Sequence, residues 1–263
     1  PRSTLFPYTT LFRSITQSGT TTDTNRAVDM AKNKGAFTLA IVNRRNSHIT
    51  QMVGGVFYTS NGRDVEMSVA STKAFYSQVV AGEILSLALG QIVGSISEEN
   101  IAKRINSLEK LPELLSIVLS KEDEIAKIAQ KLAPKYQHWA LVGSGANRIA
   151  ADEIRIKLSE LCYKSIACDY VEDKKHIDLS SEPMILVCAA GTPSHVVNDI
   201  IKDVAIFKAH NSAPVVITSQ GEERFIPYAK EIIFVPQADE LSSLILNTMA
   251  GHIFGYHAAL SIN

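Results

Sequence analysis

The sequence predicts an α/β protein in which two lobes each hold a parallel sheet flanked by helices. Short apolar runs alternate with longer segments of helical periodicity, a pattern typical of parallel strands that are buried on both faces. The chain has 263 residues, and 46% of them are apolar. This length suits one large domain or two modest domains, and the two sets of predicted strands and helices favour two.

Five short apolar runs predict the strands of the two sheets. They are Phe37–Asn43, Trp139–Gly143, Met184–Ala189, Pro214–Ser219 and Glu231–Pro236. The segment Thr10–Ile15, TLFRSI, also consists of residues that favour strands, and we expect it to fill a vacant position in the first sheet. The second lobe then has enough strands to be complete, whereas the first is short of at least one central strand.

Five longer segments of helical periodicity separate these strands. They are Asp23–Lys34, Thr72–Leu89, Arg148–Cys162, Ser194–His210 and Glu240–Ile262. A further segment, residues 95–134, is rich in Glu, Lys and Leu and predicts helices that join the lobes. We therefore predict a partial first domain with its helical linker at residues 15–133, and a second domain at residues 134–263.

The first residues of the chain differ in character from the rest. Thr4–Ser14, TLFPYTTLFRS, looks like a forward translation of a common sequencing-library adapter. The segment lacks the basic region, the continuous apolar core and the cleavage site of a signal peptide. We therefore expect residues 1–14 to be a non-native leader and the first lobe to be truncated at its N-terminus.

The charge balance and the cysteines exclude several classes of protein. The chain has 26 basic and 27 acidic residues, so it offers no electrostatic reason to expect nucleic acid or an anionic membrane as a partner. No apolar run reaches the roughly 18 residues that a membrane span needs. Cys162, Cys168 and Cys188 are odd in number and lack CxxC spacing, which favours reduced thiols in a cytoplasmic protein and no metal site.

A loop rich in hydroxyl groups precedes the first predicted helix. Residues 16–24, TQSGTTTDT, contain six Ser or Thr side chains and one glycine between a strand and a helix. The first N–H groups of a helix have no intrahelical partners and the helix dipole attracts anions, so the loop suits a phosphate group. Ser, Thr and Asp are also the usual N-cap residues. The pattern alone leaves both interpretations open.

A second loop of small residues, Gly143-Ser144-Gly145, joins a predicted strand to the helix at residues 148–162. The backbone of such a loop can approach an anion closely, as in the first loop. A single GSG motif is weak evidence, however, and it favours a tight packing turn over an anion site.

The helix at residues 148–162 carries charged side chains between apolar ones. At about 100° per residue, Lys157 lies at about 40° and Glu160 at about −20° from Glu153. The same angles place aliphatic side chains on both sides of this stripe, with Ile149 among them, and a separate solvated face around Arg148. An exposed ion-pair ladder is the ordinary interpretation of such spacing. Charges between apolar stripes must instead be paired or used, and their surroundings perturb pKa values as acid–base catalysis requires.

Two segments of the chain resemble a known family. ITQSGTTTDT at residues 15–24 and VASTKAF at residues 69–75 are similar, in order and spacing, to the paired signature of the SIS (sugar isomerase) domains of glutamine–fructose-6-phosphate aminotransferases. The resemblance extends to about residue 261 and implies flavodoxin-like lobes, a sugar phosphate substrate, and neither metal nor redox cofactor. By position it implies the following binding residues: Thr16, Gln17, Ser18 and Thr21, with Val69, Ala70 and Ser71 lining the site.

The same resemblance implies catalytic roles in the second lobe. Glu153, Lys157 and Glu160 match the acidic–basic–acidic triplet of the family's isomerase helix, in which the last Glu is the general base. His176 falls at the spacing of the family's ring-opening His, which reaches the site of the neighbouring subunit, so a homodimer is implied. A lone His is more often structural or merely exposed.

The implied reaction begins with fructose 6-phosphate, whose ring opens with the help of His176. Ammonia adds at C2 to form an imine, and Glu160 then moves a proton from C1 to C2 to give glucosamine 6-phosphate. In the family the ammonia comes from a glutaminase domain upstream, and nothing in this sequence matches one. The expected leader also stands where the family has the opening strand and helix of the first lobe and a further phosphate-binding segment, Cys-Gly-Thr-Ser. We therefore expect this chain by itself to be inactive as a synthase.

The sequence also departs from the family's pattern near these residues. Ile177 and Asp178 follow His176 where the family has Gly-Pro, and Ser144 stands where it commonly has Arg. Another SIS isomerase, a fructosamine-phosphate deglycase or a non-catalytic sugar-phosphate sensor thus stay open as alternatives. Retention of the charged triplet together with His176 favours an enzyme, because a sensor needs no proton shuttle.

Overall fold

The computed structural model describes residues 11–61, 71–176 and 179–262. The strands are β1 (Leu11–Thr16), β2 (Phe37–Val42), β3 (Gly55–Tyr58), β4 (Trp139–Gly143), β5 (Ala167–Tyr170), β6 (Met184–Cys188), β7 (Ala213–Ser219) and β8 (Glu231–Val235). The helices are α1 (Thr22–Asn33), α2 (His48–Met52), α3 (Lys73–Ile92), α4 (Glu98–Ser120), α5 (Glu122–Leu132), α6 (Asn147–Cys162), α7 (Val171–Lys174), α8 (Ser194–Ala209) and α9 (Glu240–Ile262), with a 3-10 turn at Ala133–Lys135.

The chain forms two compact units that divide between Ile105 and Asn106, inside α4. The first unit contains a parallel sheet of order β1-β2-β3, in which Leu11 pairs with Phe37 and Thr16 with Val42. Its core is aliphatic: Val28 of α1 and Ile49 of α2 pack with residues of β2. The parallel register places the carboxyl ends of all three strands at one edge of the sheet.

The second unit contains a five-stranded parallel sheet of order β5-β4-β6-β7-β8. This is the strand order of flavodoxin-like folds, with the switch in direction between β4 and β6. Every residue of β4 and β6 is buried, which explains their continuous apolar sequences. The largest buried side chains of this core include Phe207 of α8 and Phe225.

Helices α6 and α9 pack against each other in the second unit. Helix α9 has small residues along the contact: a Cβ atom on Gly251 would lie 2.3 Å from Ile154 Cδ1, and one on Gly255 would lie 3.4 Å from Leu158 Cγ. Both Ile154 and Leu158 are buried. The missing side chains on α9 thus let the two helices approach closely and fix the rotation of α6.

The α/β class with parallel sheets flanked by helices is confirmed. All five predicted strands and all five predicted helices are present with bounds that shift by a few residues at most, and a strand at Leu11–Thr16 occupies the position expected for Thr10–Ile15. The sequence missed the short elements β3, β5, α2 and α7. Leu11–Ser14, which we expect to belong to a leader, takes part in β1.

The compact units divide at a different place from the predicted domains. The boundary lies between Ile105 and Asn106, whereas the sequence placed it between residues 133 and 134. The reason is that α5, assigned to the linker, packs on α9 of the second unit, where Ile125 and Ala129 are buried. The division into a first domain at 15–133 and a second at 134–263 stays a prediction.

The three cysteines, Cys162, Cys168 and Cys188, carry free thiols. Within the part of the chain that the structure describes, none of the helices combines the length and apolar character required to cross a lipid bilayer.

Candidate functional site

The first candidate site is the loop that joins β1 to α1, residues 17–21. Thr16 ends β1 as a buried residue, and α1 begins at Thr22. Since β1 runs parallel to β2, this loop lies at the carboxyl edge of the sheet, where α/β proteins commonly bind ligands. The chain thus brings four predicted binding residues to one edge of the first sheet: Thr16, Gln17, Ser18 and Thr21.

Gly19 shapes the backbone of this loop. Its φ is +67°, and a Cβ atom at this position would lie 2.2 Å from Ser47 Oγ. Ser47 is buried at the start of α2, and the backbone N–H of Ile49 donates a hydrogen bond to the Gly19 carbonyl at 3.1 Å. Glycine alone fits both the left-handed backbone and the lack of space.

Some polar groups of the loop form hydrogen bonds with one another. The backbone N–H of Gly19 donates to Thr16 Oγ1 at 3.2 Å, and the hydroxyl oxygens of Ser18 and Thr20 are 2.9 Å apart. Thr21 is the N-cap residue of α1, yet among the described residues its side chain makes no capping hydrogen bond. Gln17 Oε1 is buried and accepts no hydrogen bond within the described part of the chain. N-capping therefore does not account for the loop's polar groups. An anion would accept hydrogen bonds from the hydroxyl and N–H donors of the loop, whereas Gln17 Oε1, itself an acceptor, would need a donor such as a sugar hydroxyl.

The structure describes only part of the second predicted binding segment, residues 69–71. Val69 and Ala70 lie outside the described residues. Ser71 is half-buried and stands two residues before the start of α3 at Lys73. Its position just before a helix is similar to that of Thr21, and its role in binding stays a prediction.

The second candidate site is the charged stripe of α6. Lys157 Nζ lies 3.3 Å from Glu153 Oε1 and 3.7 Å from Glu160 Oε2. The Lys157 side chain is 8% exposed and that of Glu153 13%, whereas that of Glu160 is 40% exposed. The stripe is therefore a buried ion pair with one carboxylate at the surface, and not an exposed ladder.

The surroundings of this stripe shift the pKa of Glu153 and that of a histidine on a neighbouring helix. Burial raises the pKa of the Glu153 carboxyl, although the charge of Lys157 partly opposes this shift. His252 of α9 places its Nε2 atom 3.7 Å from Glu153 Oε1. Burial, reinforced by the positive charge of Lys157, lowers the pKa of His252 to about 3. A neutral imidazole thus lies beside a Glu–Lys pair at neutral pH.

Two details of the predicted faces of α6 are wrong. Ile149, expected beside the charged stripe in an apolar band, is 56% exposed. Arg148, expected on the solvated face, has a side chain only 19% exposed, since it pairs with Asp152 and donates to the Sγ and carbonyl oxygen of Cys168 at 2.9 and 3.0 Å. The physical reason for the burial of Arg148 is β5, which contacts α6 and contains Cys168; nothing in the described structure covers Ile149.

The GSG loop before α6 packs tightly. A Cβ atom on Gly143 would lie 2.2 Å from the carbonyl oxygen of Asn147, so this residue has no room for a side chain. The amide of Asn147 donates to the carbonyl oxygen of Ala190 at 2.9 Å and to Thr192 Oγ1 at 3.0 Å. Ser144 donates to Glu172 Oε2 at 2.9 Å. These contacts favour the packing turn that the motif indicated.

His176 lies on a different element from the charged stripe. It follows α7 in a turn, where its backbone N–H donates to the Asp173 carbonyl at 2.9 Å, and its residue is exposed. The two residues that depart from the family pattern, Ile177 and Asp178, lie outside the described residues. The structure thus groups Glu153, Lys157 and Glu160 on α6 and places His176 at the surface of the same unit.

The two sites offer different chemistry. The loop after β1 presents neutral hydroxyl and amide donors, which suit an anion that must bind and leave. The stripe on α6 presents a carboxylate near solvent with a buried ammonium behind it, which suits proton transfer. In the residues that the structure describes, no three His, Cys, Asp or Glu side chains are grouped as a metal site would require.

The chain is similar in sequence to known proteins over nearly its whole length. Residues 10–88 match the family model described as the SIS domain. An isomerizing glutamine–fructose-6-phosphate aminotransferase from Mycolicibacterium smegmatis is 30% identical over 258 residues, which are 96% of this chain and 41% of that protein. Another, from Thermococcus kodakarensis, is 29% identical over 252 residues, 95% of this chain and 41% of that protein. The chain is thus homologous to these enzymes, and it spans about two fifths of their length.

Solved structures show the same fold. The C-terminal domain of glucosamine-fructose-6-phosphate aminotransferase from Francisella tularensis matches with a TM-score of 0.88 and 24% identity, over 95% of this chain and 71% of that one. Tagatose-6-phosphate ketose/aldose isomerase from Escherichia coli matches with a TM-score of 0.74 and 15% identity, over 95% and 68%. Likeness at this level of identity shows the shared fold.

The sequence did not point to one residue of the α6 site. His252 is buried against Glu153 from a neighbouring helix, and no motif marks it. One sequence feature could have indicated His252: it directly follows Gly251, on a helix whose glycines predict close contact with another helix.

Proposed function

We propose that this chain is the sugar-phosphate-isomerising part of a glutamine–fructose-6-phosphate aminotransferase. The observation that carries the proposal is the buried ammonium of Lys157 between Glu153 and Glu160, at distances of 3.3 and 3.7 Å. Removing the Lys157 ammonium from water costs free energy, and an exposed ladder of ion pairs does not have this desolvation cost. Its occurrence in a chain homologous to these enzymes over 96% of its length supports a catalytic role.

In the proposed reaction Glu160 is the general base. Its carboxylate is the exposed member of the stripe and can meet a substrate, whereas Glu153 and Lys157 are buried. Glu160 takes a proton from C1 of the open-chain sugar and returns it at C2, since an imine or carbonyl at C2 acidifies the neighbouring C–H bond. Lys157 places a positive charge beside this base and stabilises negative charge that develops nearby.

The loop at residues 17–21 would bind the phosphate of fructose 6-phosphate. The hydroxyls of Thr16, Ser18 and Thr21, the amide of Gln17 and the first N–H groups of α1 supply donors, with Val69, Ala70 and Ser71 as a second lining. Several neutral donors around an anion give reversible binding, because no single contact is an ion pair. His176 would assist ring opening.

A longer protein that contains this chain would add the ammonia source and the second subunit that the reaction needs. A glutaminase domain upstream would provide ammonia, and a homodimer would let His176 act at the site of the partner subunit. Free thiols and the nearly balanced charge are consistent with a cytoplasmic enzyme.

The proposal is tested with Glu160→Gln. Incubation of the chain with fructose 6-phosphate in D2O, followed by NMR, measures exchange of the C1 proton without any need for ammonia or glutamine. The variant should lose exchange by about 100-fold or more, while calorimetry shows fructose 6-phosphate binding nearly unchanged. Glu223→Gln removes an exposed carboxylate of the same unit and serves as the matched control.

Two outcomes would contradict the proposal. Exchange that persists in Glu160→Gln would remove the assigned base. Binding of fructose 6-phosphate without any exchange in the unaltered chain would instead favour a sugar-phosphate sensor.

A further inference from the structure

The loop that follows β6 has the same construction as the loop that follows β1. Each loop has five residues, 17–21 and 189–193, and each contains a Gly-Thr pair whose glycine stands three residues after the strand and three residues before the helix. The φ of Gly191 is +72°, close to the +67° of Gly19, and neither glycine has room for a side chain. The second unit therefore contains a counterpart of the first candidate site.

The loop at residues 189–193 lies beside a cavity at the carboxyl edge of the second sheet. The strands β6, β7 and β8 run parallel, so the loops that follow them meet at one edge, where α/β proteins commonly bind ligands. The cavity has a volume of about 360 Å³, and the residues that line it include Gly191, Thr192, Ser194, Thr218 and Ser219. Sites for small molecules commonly measure about 300–1,000 Å³, so the cavity suits a ligand of the size of a phosphorylated monosaccharide.

One hydroxyl group in this cavity is buried without a partner. Thr218 is 1% exposed, and its Oγ1 atom makes no hydrogen bond with the residues that the structure describes. Side chains alternate along a strand, so Thr218 points to the same face of β7 as Val216, which packs in the core with Val197 of α8. Val197 also lines the cavity. The Thr218 hydroxyl thus faces the space beside the first turn of α8, and a buried hydroxyl ordinarily has a hydrogen-bond partner.

Other polar groups around the cavity have protons to donate. Thr192 Oγ1 accepts a hydrogen bond from an asparagine amide at 3.0 Å, and Ser219 Oγ accepts one from a backbone N–H at 3.1 Å, so each hydroxyl keeps its own proton for a ligand. Helix α8 begins at Ser194, and its N-cap residue is Pro193, whose side chain has no acceptor for the first N–H groups. These donors and the helix dipole favour an anion at the start of α8.

The two charged side chains of the cavity neutralise each other. Arg224 Nε donates to Glu222 Oε1 at 2.8 Å, and Arg224 Nη2 donates to Glu222 Oε2 at 2.5 Å. The carboxylate therefore does not repel an anion as an isolated charge would. Each of its oxygens has a further lone pair, which can accept a hydrogen bond from a sugar hydroxyl.

We propose that this cavity is a second binding site for a sugar phosphate, with the phosphate at the start of α8 and the sugar toward Thr218 and Glu222. Glu153, Lys157 and Glu160 are not among the residues that line it. The site thus binds a sugar phosphate outside the stripe that carries proton transfer. The choice of a sugar phosphate rests on the proposed function, whereas an anion site of this size rests on the geometry of the second unit alone.

The experiment follows the threonine methyl groups of the unaltered chain by NMR while inorganic phosphate, fructose or fructose 6-phosphate is added. The resonances of Thr192 and Thr218, assigned with Thr192→Val and Thr218→Val, report the cavity, and those of Thr20 and Thr21 report the loop at residues 17–21. We expect fructose 6-phosphate to move the cavity resonances at a concentration about tenfold or more lower than inorganic phosphate does, because it adds contacts to the sugar. Fructose should move them least.

Two variants test the cavity through the remaining Thr192 resonance. Ser194→Asp places a carboxylate where it favours the helix but repels a phosphate, so it should weaken fructose 6-phosphate binding there by about tenfold or more; Ser194→Asn, of equal size and uncharged, is the matched control. Thr218→Val removes only the hydroxyl and should weaken binding by about 3- to 10-fold. Thr248→Val, at an equally buried position of α9, should leave it unchanged. All four variants should retain C1 proton exchange.

The outcomes separate this inference from the proposed function. Cavity resonances that move with none of the three compounds, or equally with inorganic phosphate and fructose 6-phosphate, would overturn the second site, as would equal binding by Ser194→Asp and Ser194→Asn. If fructose 6-phosphate moves the cavity resonances while the unaltered chain shows no C1 exchange, the proposed function fails and the second site stands. If exchange occurs and only the resonances of the loop at residues 17–21 move, the second site is wrong and the function stands.

Discussion

Acid should weaken the second unit through His252. The pKa of this residue is about 3 in the folded chain because burial and the charge of Lys157 disfavour the imidazolium, compared with an ordinary value of 6.5. The folded pKa is thus lower than the unfolded one. The resulting stability is fully present above the unfolded pKa and is lost as the pH falls from 6.5 toward about 3.

The size of this loss in the free energy of unfolding follows from the lowered pKa of His252. Between about pH 8 and about pH 5, the unfolded histidine takes up a proton while the folded one does not, which costs about 1.4 kcal/mol for each pH unit below 6.5. At about pH 5 the free energy of unfolding should therefore be lower by about 2 kcal/mol from this residue alone. Glu153 acts in the opposite sense, because its raised pKa makes acid favour its folded form. That contribution is also present in a variant that lacks only the imidazole.

The assay is urea unfolding followed by the fluorescence of Trp139. This residue is the only tryptophan of the chain, and it is buried in β4 of the second unit, so its signal reports that unit. The unaltered chain should lose about 2 kcal/mol more than His252→Gln between about pH 8 and about pH 5. His257→Gln should keep the larger loss. Equal losses in the unaltered chain and His252→Gln would refute the reasoning.

Three further predictions concern packing and thiols. Gly19→Ala should weaken fructose 6-phosphate binding by about tenfold or more, because its Cβ would meet the serine at the start of α2 at 2.2 Å; Gly94→Ala has a similar φ of +69° with nothing within 4 Å and should leave binding unchanged. Gly251→Ala should lower the free energy of unfolding by about 1–3 kcal/mol, whereas Gly255→Ala, with a contact at 3.4 Å, should be neutral or stabilising by up to about 1 kcal/mol, as measured by urea unfolding. Burial raises the pKa of all three cysteine thiols, so a thiol reagent near pH 8 should label the folded chain slowly and the urea-unfolded chain rapidly at all three sites; rapid labelling of the folded chain would contradict this.

The sequence predicted the long elements because their burial leaves a clear pattern. β4 (Trp139–Gly143) and α9 (Glu240–Ile262) have the bounds that were expected from apolar runs and periodicity. The strands β3 (Gly55–Tyr58) and β5 (Ala167–Tyr170) were missed, and both are edge strands of four residues without a buried residue. An edge strand packs against fewer neighbours, so its sequence need not be apolar and resembles that of a loop.

The α6 site was predictable only in part. A period of 3.6 residues places Glu153, Lys157 and Glu160 on one face whatever surrounds the helix, so their proximity was expected. The surroundings depend on which helix or strand packs opposite each face, and periodicity does not contain that information. Ile149 was therefore misplaced, and His252, on another helix far along the chain, was not expected beside Glu153.

The two candidate sites should respond differently to single substitutions, and this decides how each is tested. In the loop at residues 17–21 an anion would share several neutral donors, so the loss of one hydroxyl should cost only about 0.5–1.5 kcal/mol of binding. On α6 one carboxylate, Glu160, would carry the proton transfer, so its loss should cost about 10²- to 10⁴-fold in rate. An alanine scan would accordingly underrate the loop. A change at Gly19 avoids this difficulty, because its contact with Ser47 moves the backbone that presents all the donors at once.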